Sequence, residues 1–248
     1  MSRILITGAN STVSRALIAS MVESESLLLH SREKGSSEMS EISKGLNFSS
    51  WVHDLRDLAT LESSLRHCLS EIPEGVDTFV HCAGVSKPLP AKGFTDKFVG
   101  DMFNVNVFSA LKIISLLLNK SVNNTRLRNV VFVTSIWGIS GSIGYTFYGS
   151  SKAALTGAMK SLSLELAPHT RVNCVALGAI DSTMSKSTFE DKKILEHLMA
   201  HYPLGSGAPG DAAQAISFLI SDKAKWITGT EMVVDGGRTA NMGSRDLR

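Results

Sequence analysis

The chain has 248 residues, 43% apolar and 19% charged, with a formal net charge of +2. That is enough apolar material for one large α/β core. It excludes bulk disorder, and with no block of Lys or Arg it argues against a nucleic-acid or anionic-membrane partner. No apolar run is read as long enough to span a bilayer.

Taken in chain order, short apolar runs alternate with helical-period stretches. Ile4–Ile6 opens the series, and Thr7-Gly8-Ala9-Asn10-Ser11-Thr12 interrupts it too early for the apolar stretch of a signal peptide. This start reads as strand, turn and helix, with the helix over Ala16–Val22. Leu27–Leu29, Trp51-Val52, Phe79-Val80, Val130–Val133, Val172–Leu177 and Met232–Val234 are the other strand runs. Leu55–Ile72, with Leu58, Leu61, Leu65 and Leu69 on one face, and Phe103–Leu118 are amphipathic helices between them. Strands apolar throughout suit a parallel sheet covered on both faces. The expectation is therefore one domain over residues 1–248, a Rossmann-like doubly wound α/β fold of about seven strands. Ser31–Ser49 is polar and reads as a mobile surface segment, as does the tail Thr239–Arg248. Residues 181–210, helical over Glu190–Ala200, lie where a substrate lid would sit.

Cys68, Cys82 and Cys174 are far apart and odd in number, so neither a disulfide framework nor a zinc site is expected. They read as small core residues in a reducing cytoplasm. The seven histidines form no ligand cluster along the sequence.

Three segments carry chemistry. The turn after the first strand, Gly8 with Asn10, Ser11, Thr12 and Val13, places a helix N-terminus where phosphate binds. His30-Ser31-Arg32 has no acid at the strand end; a guanidinium there favours the 2′-phosphate of NADP(H) over the bare ribose of NAD(H). Tyr148 and Lys152 are four apart on a predicted helix, thirteen residues beyond Ser135 at a strand end. An ammonium beside a phenol is expected to lower the phenol's pKa towards working pH.

In these motifs the sequence resembles the short-chain dehydrogenases/reductases, most nearly the 3-oxoacyl-[acyl-carrier-protein] reductase-like members. Thr7-Gly8 matches the opening of their T-G-x-x-x-G-x-G turn, with Thr12 and Ser14 at the other glycine positions. Thr12 would crowd a phosphate, and small hydroxyls there would partly compensate by bonding to it. His81-Cys82-Ala83-Gly84 matches N-N-A-G at its last two residues; His81 reads as a structural histidine. Asn106, Arg171–Gly178, Trp226–Gly229 and Val234–Gly237 extend the likeness from about Ile4 to Gly237.

The resemblance implies that Tyr148 is the general acid in reduction and Lys152 lowers its pKa and holds the nicotinamide ribose. It further implies that Ser135 polarises the substrate carbonyl, and that Asn106 holds its helix and a water leading to Lys152. Asp54 and Leu55 would meet the adenine, unless Asp54 instead caps the next helix; Cys82, Ala83 and Gly84 would line the cofactor. Gly178, Ile180 and Ser182, or Thr183 in its place, would meet the nicotinamide. Trp137, Ile139, Tyr145 and Phe147 would wall an apolar pocket. Arg126, Arg128 and Lys160 would touch an acidic carrier protein if one brings the substrate. The family also implies a homo-oligomer, dimer or tetramer, pairing through Phe103–Leu118, Tyr148–Ala167 and the last strand. The alternative left open is a non-catalytic relative acting as scaffold or partner subunit, which the altered glycine turn favours and the four intact site residues oppose.

Overall fold

The computed structural model describes residues 3–21, 25–33, 45–72, 74–182, 184–185 and 190–241. Seven strands form one parallel sheet in the order β3-β2-β1-β4-β5-β6-β7. They are β1 (Arg3–Thr7), β2 (Ser26–Ser31), β3 (Asn47–Val52), β4 (Thr78–His81), β5 (Asn129–Ser135), β6 (Arg171–Leu177) and β7 (Glu231–Val234). The principal helices are α1 (Thr12–Ala19), α2 (Leu58–Ser70), α3 (Asp96–Phe103), α4 (Ser109–Leu118), α5 (Lys120–Asn123), α6 (Thr146–Glu165), α7 (Lys192–Met199) and α8 (Pro209–Ile220). The sequence-based fold class is therefore correct.

Alternate residues of each central strand feed two cores. Leu5, Leu28, Phe79, Val130, Phe132 and Val172 pack with Leu61, Leu65, Ile113, Leu155 and Met159 from α2, α4 and α6. Ile4, Ile6, Leu27, Leu29, Val80, Val131 and Val175 pack on the other face with Leu17, Ile18, Ala213 and Ile216 from α1 and α8. Burial on both faces is why these strands lack a polar alternation.

The sheet edge was harder to read. β3 begins at Asn47 and β2 runs to Ser31, so both ends of the segment expected to be mobile are strand; residues 34–44 lie outside the described residues. In β3 only Trp51 is fully buried and Phe48 partly so, and the polar Asn47, Ser49 and Ser50 around Phe48 break the apolar signal. Val22, at the end of the expected first helix, also lies outside the described residues, as do 183 and 186–189 of the expected lid and 242–248 of the tail. The lid helix is Lys192–Met199, two residues inside one expected end and one inside the other.

One reading needs correction. Asp96–Leu118 is continuously helical and, by length and hydropathy alone, long enough to cross a membrane. Its apolar face instead packs in the core, through Met102, Val105, Val107, Ala110, Ile113, Ile114 and Leu117. A π-helical turn over Asn104–Phe108 interrupts it, with Asn106 fully buried inside.

Candidate active site

The sheet order reverses between β1 and β4, and the carboxyl ends of the strands border a crevice there, where ligands of open α/β sheets bind. Thr7 pairs with His81 across this point. Gly8 takes a positive φ of 67°, and a Cβ on it would lie 2.7 Å from the Ala83 Cα. Only glycine fits so tight an approach.

Ser11 caps α1, its Oγ accepting from the Ser14 N–H at 3.1 Å. The expectation for Ser14 is not met. Ser14 is buried, its hydroxyl is bonded to the Ser11 hydroxyl at 2.9 Å, and it is close enough to Cys82 to oppose the rise in that thiol's pKa, so it is turned into the fold rather than towards a phosphate. Thr12 opens α1, Val13 packs at the edge of the core, and Asn10 is exposed.

On the far side of β1, Ser31 is buried with its hydroxyl bonded to the Glu33 carbonyl at 2.6 Å. Arg32 is 64% exposed and paired with Glu33 at 3.2 Å. Asp54 does not cap α2; Asp57 does, accepting from the Ala59 and Thr60 N–H groups. The Asp54 carboxylate is forked by Arg56, which pulls its pKa down to about 2, with a weaker pull from Arg32. Leu55 and Ile180 are buried apolar side chains, so any part they take in a ligand site is through backbone. Gly178 follows β6 and packs against Tyr202 and Asp235, and the Ala179 N–H donates to the Tyr202 hydroxyl at 3.1 Å. The Ser182 hydroxyl lies 3.0 Å from that of Ser185. Thr183 lies outside the described residues.

At the chemical end, β5 delivers Ser135 and α6 delivers Tyr148, Ser151 and Lys152. The Ser135 hydroxyl is close enough to the Tyr148 phenol to oppose the rise in its pKa. Ser135 also caps the turn that follows it, accepting from the Trp137 N–H at 3.2 Å. The buried Lys152 ammonium lies 5.7 Å from the Tyr148 ring centroid and donates to the Val133 carbonyl at 2.9 Å. Gly84 leaves room for it, since a Cβ there would lie 3.3 Å from Lys152 Nζ. The Asn106 side chain accepts from the Val85 N–H at 2.8 Å and donates to the Val85 carbonyl at 3.0 Å and to Ser151 Oγ at 2.9 Å. That clamp fixes the strand-end segment beside Lys152.

The electrostatics depart from the sequence reading. Burial pushes the Tyr148 phenol up to about 12, Tyr145 adds to it and Ser135 opposes it; Lys152 does not bring it down. The ammonium sits over the ring and towards a carbonyl, and desolvation outweighs its charge. Burial also lowers Lys152 to about 8. His81 behaves as expected of a structural residue. It is buried, its Nδ1 lies 2.8 Å from the Thr7 hydroxyl, and burial holds its pKa down to about 3.

Aromatic side chains precede the tyrosine in the chain, and one of them meets it. Tyr145 meets Tyr148 edge-on at 6.1 Å and Trp137 at 6.1 Å, and Phe94 meets Phe147 at 5.7 Å. Arg126 and Arg128 precede the amino end of β5, at the opposite end from Ser135, which at about 3.3 Å per residue is about 20 Å along the strand. Lys160 is twelve residues down α6 from Tyr148, about 18 Å at 1.5 Å per residue. All three lie well away from Ser135 and Tyr148 along their elements. The residues missed from sequence are His30, Arg56 and Tyr202: a lone buried histidine, a local ion pair and a tyrosine in an irregular segment carry no motif. Among the described residues no group of His, Cys, Asp and Glu is placed to hold a metal.

The family model described as enoyl-(acyl carrier protein) reductase matches residues 20–239. The chain belongs to the short-chain dehydrogenase/reductase family. It is an oxidoreductase of that family. The 3-oxoacyl-[acyl-carrier-protein] reductase FabG of Rickettsia conorii is 31% identical over 94% of this chain and 95% of its own. FabG of Salmonella typhimurium is 29% identical over the same shares. Among solved structures, 4-hydroxyisoleucine dehydrogenase complexed with NADH is 25% identical, with a TM-score of 0.88 over 97% of this chain and 99% of that one. These names describe different reductions and oxidations, so they agree on the family and not on the substrate.

Lys152 gives the site a testable signature. Its folded pKa, about 8, lies below the ordinary 10.5, so the unfolded chain binds the proton more tightly between these values. The cost of the buried charge is fully present below pH 8 and is relieved as pH rises towards 10.5. Lys152→Met should therefore stabilise the protein at pH 7 by about 2 kcal/mol, allowing about 1 kcal/mol for the lost bond to Val133. That advantage should vanish by about pH 10.5. Urea unfolding at both pH values measures it, and a pH-independent difference would refute the assignment.

Proposed function

We propose that this protein is an NADP(H)-dependent ketoreductase that reduces a carbonyl to a secondary alcohol, with NAD(H) the less favoured cofactor. The observation that carries the reading is the pair of hydroxyls, Ser135 and Tyr148, buried together with Lys152 at the carboxyl edge of the sheet.

The crevice suits a dinucleotide. Gly8 turns the chain into the N-terminus of α1, and Gly84 leaves the strand end beside Lys152 bare of side chain. Arg32 supports a 2′-phosphate. Its pairing with Glu33 is exposed and worth at most about 1 kcal/mol, so a phosphate can displace it. Arg56 already neutralises Asp54, which removes an acid that would repel that phosphate. Bound nicotinamide would supply hydride. The chain supplies hydrogen bonds and a proton. Ser135 donates to the carbonyl oxygen, polarising it. Tyr148, kept protonated by its burial, gives its proton to the developing alkoxide. Lys152 would hold the nicotinamide ribose beside that hydroxyl, and Asn106 keeps the segment after Gly84 in register.

The rings of Trp137, Tyr145 and Phe147, with Ile139, give an apolar wall to an acyl chain or a ring. The substrate is thus a small-molecule or acyl-carrier-bound carbonyl compound, as the names of the FabG relatives support. We assign it to the cytoplasm on the same likeness and on three free thiols. Exposed Phe108, Leu164 (81%) and Val233 lie on or beside the elements through which the family pairs, and Trp226 (97%) precedes the last of them, which supports a homo-oligomer.

Titration followed by nicotinamide fluorescence should give a dissociation constant for NADPH at least tenfold below that for NADH. Arg32→Ala should erase the difference; an unchanged preference would remove Arg32 from the phosphate site. Sedimentation should give a dimer or tetramer, and a single monomeric species would contradict the assembly.

A further inference from the structure

His30 is the penultimate residue of β2 and is 3% exposed. Its imidazole is held at both nitrogens. Nδ1 lies 3.2 Å from the Gly8 N–H, and Nε2 lies 2.9 Å from the His53 carbonyl. An N–H can only donate, so Nδ1 accepts and the ring proton is on Nε2, donating to His53. The His30 carbonyl also accepts the Ala9 N–H at 2.9 Å.

The ring is fixed from the side. Trp51 packs against it at 4.7 Å, the His53 ring stacks on Trp51 at 5.8 Å, and the Trp51 indole N–H is bonded to Ser64 on α2 at 2.9 Å. Burial lowers the His30 pKa to about 4, which keeps the ring neutral and its Nδ1 lone pair available. A single side chain thus joins the turn after β1 to the segment entering Asp54. Of the three glycine positions of the family turn, this chain keeps only Gly8, and Gly8 is the residue His30 holds.

We propose that His30 is a positioning residue of the nucleotide crevice, setting the phosphate turn at Gly8 and the adenine-side segment at His53–Asp54 in their binding arrangement. This rests on the reading of the crevice as a dinucleotide site. Glycines would let such a turn adopt its shape freely. Here Thr12 and Ser14 restrict it, and the imidazole behind the turn selects the conformation that presents the α1 N-terminus.

Two substitutions divide the ring's functions. In His30→Asn the amide oxygen takes about the place of Nδ1 and continues to accept from Gly8. In His30→Gln the amide nitrogen takes about the place of Nε2, so the bond to His53 survives while Gly8 loses its acceptor. NADPH titration of the full chain, with thermal unfolding alongside, should show His30→Asn within about threefold of wild type and His30→Gln weaker by about tenfold, the factor for one lost bond. Equal weakening of both variants in step with lost thermal stability would reduce His30 to a core residue and overturn the proposal. So would unimpaired binding by His30→Gln. Wild type that binds neither NADPH nor NADH would overturn the dinucleotide reading together with this one. Should either variant fail to fold, the imidazole ¹⁵N spectrum of wild type decides. An Nε2–H tautomer whose Nδ1 resonance moves on adding NADPH supports the proposal, and an Nδ1–H tautomer or an unmoved resonance overturns it.

Discussion

The backbones of Gly8 and Ala83 approach so closely that no β-carbon fits between them. That contact lies where the strand order reverses, and most of the site is arranged around it. It pins the turn after β1 to the end of β4. Thr7 and His81 are bonded beneath it, and Gly84 just beyond it leaves space for Lys152. The two ends of the crevice, one suited to phosphate and one to proton transfer, are joined by four residues of backbone.

The chemical end is built on burial. Taking Tyr148 and Lys152 out of water shifts each towards its uncharged form, the phenol up and the ammonium down. A phenol that stays protonated until an alkoxide forms beside it suits reduction. The Val133 carbonyl and the face of the Tyr148 ring offset part of the cost of burying the ammonium.

What the sequence made legible follows from the same physics. Central strands buried on both faces write themselves as apolar runs, so at least half of each was visible. β3, buried only at Trp51, showed just its last two residues. Tyr148 and Lys152 were legible because helical spacing fixes their common face, and Ser135 because it closes an apolar strand. The direction of the Tyr148 shift was not, because spacing reports proximity and not solvation. Ser14 was misassigned to phosphate because its neighbours Ser11 and Cys82 come together only in the fold. The capping residue of α2 proved to be Asp57 rather than Asp54, because the helix begins at Leu58 and Asp57 directly precedes it. His30 had no motif at all, since its partners Gly8 and His53 are 22 and 23 residues away.

The central claim is that Tyr148, Ser135 and Lys152 form a carbonyl-reducing site. It is tested most directly by incubating the protein with NADPH deuterated at the nicotinamide C4 position and a panel of acyl and aromatic ketones. The account predicts deuterium on the carbinol carbon of at least one product, at a rate that Tyr148→Phe lowers by at least about a hundredfold. A labelled product formed equally fast without the Tyr148 hydroxyl, or tight NADPH binding with no label transferred to any ketone, would contradict it.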